Sequence, residues 1–320
     1  MSIDAKNYLK SVPELSLASY TDGDVKDQKK FIDDLFKGLK QFGFIILKDH
    51  PIQVDLLNKA YSLSEQLFSM PEEKKLKYVS PNGGGQRGYT PFGKEHAKNQ
   101  SVPDLKEFWH VGRELPAGHK YANSYPQNIW AHELADFKKT FLDMYEALDI
   151  VASILLKSLT GPLKLEENYF DRMIEDGNSI LRLLHYPPIP EGVDPRCVRA
   201  AAHEDINLIT ILVAASASGL ELLTREGEWL PVETDANNLI VDSGDMLSRI
   251  TNEVIPSTTH RVVNPKGENK SRYSMPYFIH PNPEAVLTCL DSCRGEGAKY
   301  PDILAQDFLM QRLREIGLTK

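Results

Sequence analysis

Residues 180–213 read ILRLLHYPPIPEGVDPRCVRAAAHEDINLITILV. Two short runs rich in branched apolar residues, Ile180–Tyr186 and residues 208–213, stand apart across Pro187-Pro188 and Gly192. Each is too short for a helix and is bounded by turn residues, so both predict strands. The same texture continues C-terminally through Leu220–Leu223, 239–241, 260–263 and Arg272–Ile279. Gly219, Gly227, residues 235–238, Ser243-Gly244-Asp245 and residues 264–267 punctuate those runs. Many short strands at this spacing predict a sandwich or barrel rather than alternating strands and crossover helices.

N-terminal to residue 175 the period changes. Phe31, Ile32, Leu35, Phe36 and Leu39 recur at three and four, as do Leu56, Leu57, Ala60, Leu63 and Leu67 before Pro71. Both sets predict amphipathic helices. Residues 42–47 (FGFIIL) between them predict a buried strand, and residues 130–159 a long helix ended by Gly161-Pro162. The polar, Gly- and Pro-rich stretch 80–113 reads as a loop, and its Asn82-Gly83-Gly84-Gly85 lacks the Gly-Lys-Ser/Thr of a phosphate cradle. Pro301 predicts the start of a closing helix with Ile303, Leu304, Phe308, Leu309 and Leu313 as its apolar positions.

The chain has 320 residues, 41% hydrophobic and 26% charged, which is ample for a globular core. A net charge of −8 disfavours nucleic acid and anionic membranes as partners but leaves a small anion open, because one placed arginine outweighs a mild global field. No protein partner is readable. Three cysteines, Cys197, Cys289 and Cys293, form no disulfide framework and point to a reducing compartment. Residues 1–14 carry no apolar signal core, and the most apolar stretch, 206–217, is too short to span a bilayer. The expectation is a cytoplasmic protein.

The chemistry sits between the first two strands. In extended backbone, residues i and i+2 share a side, so His203 and Asp205 can converge while Glu204 turns away. An imidazole and a carboxylate are two-thirds of the facial triad that holds non-haem Fe(II). His260, opening a later strand, is the natural third ligand. Nine histidines and 45 acidic residues give about one His-x-Asp/Glu pair by chance, and the chain contains one, so the pair alone does not separate a ligand from a structural histidine. Arg272-Tyr273-Ser274 adds weight, since a guanidinium fork and a hydroxyl on one strand face suit a carboxylate. A solvated edge-strand charge is the competing reading for Arg272.

In that company the sequence resembles the isopenicillin N synthase-like family of Fe(II)/2-oxoglutarate-dependent oxygenases. The resemblance runs through QFGFIILKDHPI (41–52), residues 68–75, Gly88-Tyr89-Thr90-Pro91, Asp104-Leu105-Lys106-Glu107, residues 181–188, His203-Glu204-Asp205, Gly244-Asp245, Thr251-Asn252, His260-Arg261-Val262 and Arg272-Tyr273-Ser274, in the family's order. It implies a distorted jelly-roll (double-stranded β-helix) core with flanking helices, a mainly β fold with α. The implied division is an N-terminal region 1–175 packed on a core 176–300, closed by a C-terminal helix 301–320, in one compact unit.

The resemblance also implies iron on His203, Asp205 and His260, with no catalytic side chain beyond the metal centre. It places the far carboxylate of 2-oxoglutarate on Arg272 and Ser274, with Tyr186 as a further hydroxyl. Relatives often carry Asn-Tyr-Tyr where this chain has Leu184-His185-Tyr186, so one co-substrate contact is missing, and His185 is expected to be structural. Asp245 is expected to form a turn rather than ligate. The implied cofactors are Fe(II), 2-oxoglutarate and O2, and the implied reaction oxidises a small organic molecule by hydroxylation, desaturation or cyclisation, releasing succinate and CO2. Alternatives are an ethylene-forming oxygenase, an oxidase of isopenicillin N synthase type that needs no keto acid, and a non-catalytic binding protein on the same scaffold. Arg87, Tyr89 and Phe92 are candidates for a substrate wall by resemblance, although surface-loop positions are the expectation for each.

Overall fold

The computed structural model describes residues 11–80, 86–95, 102–213 and 215–315. The Gly-rich run Asn82-Gly83-Gly84-Gly85, most of the N-terminal stretch 1–14 and the last residues of the expected closing helix lie outside the described residues. Strands are β1 (Glu14–Ser16), β2 (Phe44–Lys48), β3 (Gly88–Thr90), β4 (Glu107–Gly112), β5 (Ile180–Tyr186), β6 (Ala200–His203) and β7 (Ile209–Val213). They continue as β8 (Leu220–Leu223), β9 (Trp229–Pro231), β10 (Leu239–Ser243), β11 (His260–Val262), β12 (Arg272–Ile279), β13 (Val286–Leu287) and β14 (Ile303–Leu304). Helices are α1 (Ala18–Thr21), α2 (Val25–Phe42), α3 (Val54–Phe68), α4 (Glu72–Lys75), α5 (Phe137–Thr160), α6 (Tyr169–Ile174), α7 (Asp245–Ile250) and α8 (Ala305–Glu315).

An eight-stranded sheet in the order β1-β2-β10-β7-β12-β5-β4-β3 faces a four-stranded sheet, β6-β11-β8-β9. Alternation along each strand decides what lies where. On one face of the large sheet, Ile45, Leu47, Leu181, Leu183, Ile211, Val213, Val241, Met275 and Tyr277 join the main core, which also holds the apolar stripes of α2, α3 and α5. On the other face, Phe44, Ile46, Phe108, Leu184, Tyr186 and Ile240 meet Ala200, Leu220, Leu222 and Val262 of the small sheet. Each buried Leu, Ile or Phe contributes about 1.5–3 kcal/mol, so the two cores hold the layers together. The expected jelly-roll core with flanking helices is what forms.

Helix ends follow local chemistry. Asp24 caps α2 by accepting from the backbone N–H of Lys26 (2.8 Å) and Asp27 (3.0 Å), and Gly43 ends it in the left-handed conformation at φ 66°. A Cβ at Gly43 would meet Thr258 Oγ1 at 2.2 Å, so glycine is required twice over. The long helix begins at Phe137 rather than Trp130, because Asp136 sits at φ 62° and interrupts the helical backbone. The closing helix begins at Ala305, since Ile303 and Leu304 pair with β13.

The loop reading of 80–113 is corrected in part. β3 and β4 extend the large sheet beyond β5, and every residue of β4 is buried. Arg87 and Tyr89 are likewise buried, not surface positions, whereas Phe92 is exposed. Arg87 donates to Asn178 Oδ1 at 3.1 Å. β6 and β9 are strands the sequence periods did not reveal.

Candidate active site

His203 ends β6 and His260 opens β11, and the two are direct cross-strand partners, so adjacent strands deliver both imidazoles to one point. Asp205 lies just past β6, its backbone carbonyl accepting from the N–H of Asp245 at the start of α7 (2.7 Å). His203 Nε2 and His260 Nε2 stand 3.8 Å and 3.9 Å from Asp205 Oδ1. Those separations are below twice a metal–ligand bond of about 2.0–2.2 Å, so one ion can reach all three. One ligand atom from each residue lies within 4.8 Å of the others, and among the described residues no other group of three does so.

The donor chemistry fits a metal as well as the spacing does. His203 Nδ1 bonds the Ala201 carbonyl (2.7 Å) and His260 Nδ1 the Thr258 carbonyl (3.1 Å). A carbonyl can only accept, so both Nδ1 atoms carry the proton and both Nε2 lone pairs face Asp205. Burial, with His260 alongside, pushes the His203 imidazole down to about 4, keeping it neutral as a ligand must be. Asp205 Oδ2 is held by the Thr210 hydroxyl, which in turn accepts from Asn207 Nδ2 at 3.0 Å. Asp242, beside Thr210 on the neighbouring strand, is buried, and burial plus the Asp205 charge pushes its carboxyl well above the usual range.

Arg272, Ser274 and Tyr186 share the inner face of the large sheet, with Arg272 opposite Tyr186 in the β12–β5 register. Arg272 is only 2% exposed. It donates through Nε to the Ala217 carbonyl (3.0 Å) and through Nη1 to Ser274 Oγ (3.3 Å), and it lies 5.1 Å from the Tyr186 ring centroid. Its polar partners among the described residues include no carboxylate, although burial alone lowers its pKa. A cavity of about 320 Å³, lined by Leu212, Leu220, Val232, Ile240 and Arg272 among others, adjoins it.

His185 turns to the opposite face, as expected. Its Nδ1 bonds Glu107 Oε1 (2.7 Å), its Nε2 bonds Ser271 Oγ (3.0 Å), and its ring stacks on Tyr273 with centroids 4.7 Å apart. Glu107 also accepts from Lys75 Nζ (2.7 Å) and the Tyr89 hydroxyl. This network fastens β4 to the helices behind the sheet. Asp245 does open α7 beside Gly244, and its carboxylate meets Arg312 of α8 (2.6 Å).

Sequence reasoning overlooked Thr210, Asp242 and a charge group on the inner face, formed by the buried Lys106 and Asp104 with the partly buried Arg182 and Glu95. Lys106 Nζ lies 2.8 Å from both Glu95 and Asp104, and Arg182 binds Glu95 at 3.1 and 3.3 Å. Asp104 accepts from the Ala201 N–H (3.0 Å), two residues before His203. The available signal was Arg182 itself, a charge in an apolar strand two residues from Leu184 and four from Tyr186, hence on the same side.

Residues 12–133 match the family described as the N-terminal region of a non-haem dioxygenase in morphine synthesis, and residues 177–281 match the 2OG-Fe(II) oxygenase superfamily. Among solved structures, the chain is 40% identical to a 2OG-Fe(II) oxygenase family protein from Caulobacter crescentus, covering 96% of this chain and 99% of that one with a TM-score of 0.86. It is 30% identical to a full-length Neurospora crassa protein solved in complex with alpha-KG (2-oxoglutarate) and thymine, covering 95% of this chain and 96% of that one with a TM-score of 0.85. It is also 32% identical to the 2-oxoglutarate-Fe(II) type oxidoreductase hxnY of Emericella nidulans, over 90% of this chain and 85% of that protein.

Proposed function

Because the chain belongs to the 2OG-Fe(II) oxygenase superfamily, we propose that His203, Asp205 and His260 hold its iron and that Arg272, Ser274 and Tyr186 hold the far carboxylate of its keto acid. The protein is an Fe(II)/2-oxoglutarate-dependent oxygenase of a small organic molecule, with O2 as the other co-substrate. When bound, iron with the keto acid and O2 supplies the oxidation of a C–H bond, and succinate and CO2 leave.

What this chain's own residues do follows from their positions. Thr210 fixes the Asp205 carboxylate, and the Ala201 and Thr258 carbonyls fix the two imidazole tautomers. Arg272 offers a buried guanidinium, where a charge-assisted hydrogen bond is strongest, and Ser274 adds a hydroxyl beside it. The observation that carries the reading is this buried cation without a carboxylate partner among the described residues, on the sheet face that also presents Thr210 to the triad. Leu184 leaves that face without an amide, so the keto acid is held from the Arg272 side.

The test is anaerobic addition of 2-oxoglutarate to the Fe(II) protein, followed in the visible spectrum, with succinate release measured after air is admitted. Absence of both signals in the wild-type protein defeats the assignment of Arg272, Ser274 and Tyr186. In the same reading the protein is cytoplasmic, which is supported by its three free, buried thiols. No described helix is long and apolar enough to cross a membrane.

A further inference from the structure

Arg182 stands on β5 between the strands that carry the rest of the inner face. It is opposite His110 of β4, and the alternation that points Tyr186 and Leu184 inward points it inward too. Phe278, on β12, shares that face with Arg272 and Ser274 and is registered against Thr210, the residue that holds Asp205. The guanidinium carbon lies 4.2 Å from the Phe108 ring centroid and 5.3 Å from that of Phe278, so two aromatic rings flank it. This wall therefore borders the metal ligands from the side away from Arg272.

Its charges are balanced. Arg182 and Lys106 face Glu95 and Asp104 at 2.8–3.3 Å. Burial alone would raise the Glu95 carboxyl, but Arg182 and Lys106 hold it far below the usual range, so it is ionised. Arg182 Nε donates to His110 Nε2 at 2.6 Å, which makes that nitrogen an acceptor. A substrate carboxylate would bring a third negative charge to cations already engaged, and a substrate cation would meet carboxylates already engaged. Both would lose hydration without a free counter-charge.

Polar capacity of both signs does remain. A guanidinium has five N–H groups, of which one goes to His110 and two to Glu95, leaving two without an acceptor among the described residues. Glu95 Oε2 takes one donor among the described residues and retains a lone pair beside them. A donor next to an acceptor, with the half-buried Phe278 ring alongside, complements a flat ring bearing a carbonyl next to an N–H.

We propose that Arg182, Glu95 and Phe278 form the substrate-recognition wall and that it takes an uncharged, planar cyclic amide. The proposal rests on the oxygenase reading and adds the class of substrate. The cyclic amide stacks on Phe278, its carbonyl accepts from Arg182, and its N–H donates to Glu95.

The experiment is calorimetric titration of the Mn(II)-loaded, 2-oxoglutarate-saturated protein with uracil and 2-pyridone, and with benzoate as an anion of matched size. Saturable binding of the two amides is expected, with benzoate at least tenfold weaker. Arg182→Lys keeps a charge opposite Glu95 but loses the fork, and Phe278→Leu loses the flat face; each should weaken uracil at least tenfold. The affinity for 2-oxoglutarate, measured on each preparation, reports whether the site is assembled. Benzoate binding as tightly as uracil, no saturable amide binding, or uracil affinity within twofold of wild type in both variants overturns the proposal. Failure of the wild-type protein to bind 2-oxoglutarate is a different result: it removes the oxygenase assignment of Arg272 on which the wall depends.

Discussion

Thr210→Val removes one hydroxyl and leaves the β-branched shape of the residue in β7. In the wild type that hydroxyl donates its single proton to Asp205 Oδ2 and accepts from Asn207. A hydrogen bond to a buried charged group contributes about 1.5–3 kcal/mol, so the metal-free variant should lose stability of that order. Asn207 keeps its bond to the Ile209 carbonyl (3.1 Å), so its amide is not left without a partner. The freed carboxylate no longer points one oxygen at both imidazoles, and losses of this kind lower metal affinity about 10–100-fold. Competition of Mn(II) and Co(II) against a chromogenic chelator measures that loss, and a urea melt of the metal-free protein measures the stability. Thr210→Ser, which restores the hydroxyl, should recover most of both. Metal affinity within twofold of wild type in Thr210→Val would refute the claim that this hydroxyl orients the ligand.

Arg272→Lys should weaken 2-oxoglutarate about 10–100-fold, the equivalent of one lost charged hydrogen bond, while changing metal affinity less; calorimetry with each ligand separates the two. Glu107→Gln breaks the buried Lys75 pair and the His185 contact together, and urea melts should show a loss of about 3–5 kcal/mol. Burial pushes His280 down to about 4, so the folded state keeps it neutral while the unfolded chain protonates near 6.5. The unfolded state thus binds the extra proton between those values, and stability falls as pH drops through that window, by up to about 3 kcal/mol from this residue. In metal-free protein His203 adds a second such proton, so His280→Leu should reduce the slope of stability against pH by one proton's worth rather than abolish it.

What the sequence made legible depends on how burial is achieved. Ile180–Tyr186, Leu220–Leu223 and Arg272–Ile279 are strands over those same bounds, because apolar runs between turn residues leave the backbone few alternatives. The convergence of His203 and Asp205 was likewise open to simple alternation, whereas His260 entered as a candidate from a later strand and through the family resemblance. β4 was not. Its Glu107 and His110 are polar and read as solvent-facing, yet they are buried by Lys75, His185 and Arg182, partners that lie 32, 78 and 72 positions away. Arg87 and Tyr89 misled for the same reason, since a chain full of local turn residues hides polar groups whose partners are distant. Asp242 was invisible because nothing in its own neighbourhood marks a carboxyl that burial and the distant Asp205 charge push well above the usual range.

The order of the large sheet has a kinetic consequence. β2, from the first fifty residues, sits between β1 and β10, and its Phe44 pairs with Asp242. On a ribosome adding roughly 5–20 residues each second, β2 emerges about 10–40 s before its partner strand exists. For that interval one edge of an apolar strand, Ile45-Ile46-Leu47, is open to any passing chain, and no local hairpin can close it. The last-made third of the protein therefore completes the sheet begun by the first, and the nascent chain's exposure to chaperones and to aggregation is set by the wait for residues 239–243.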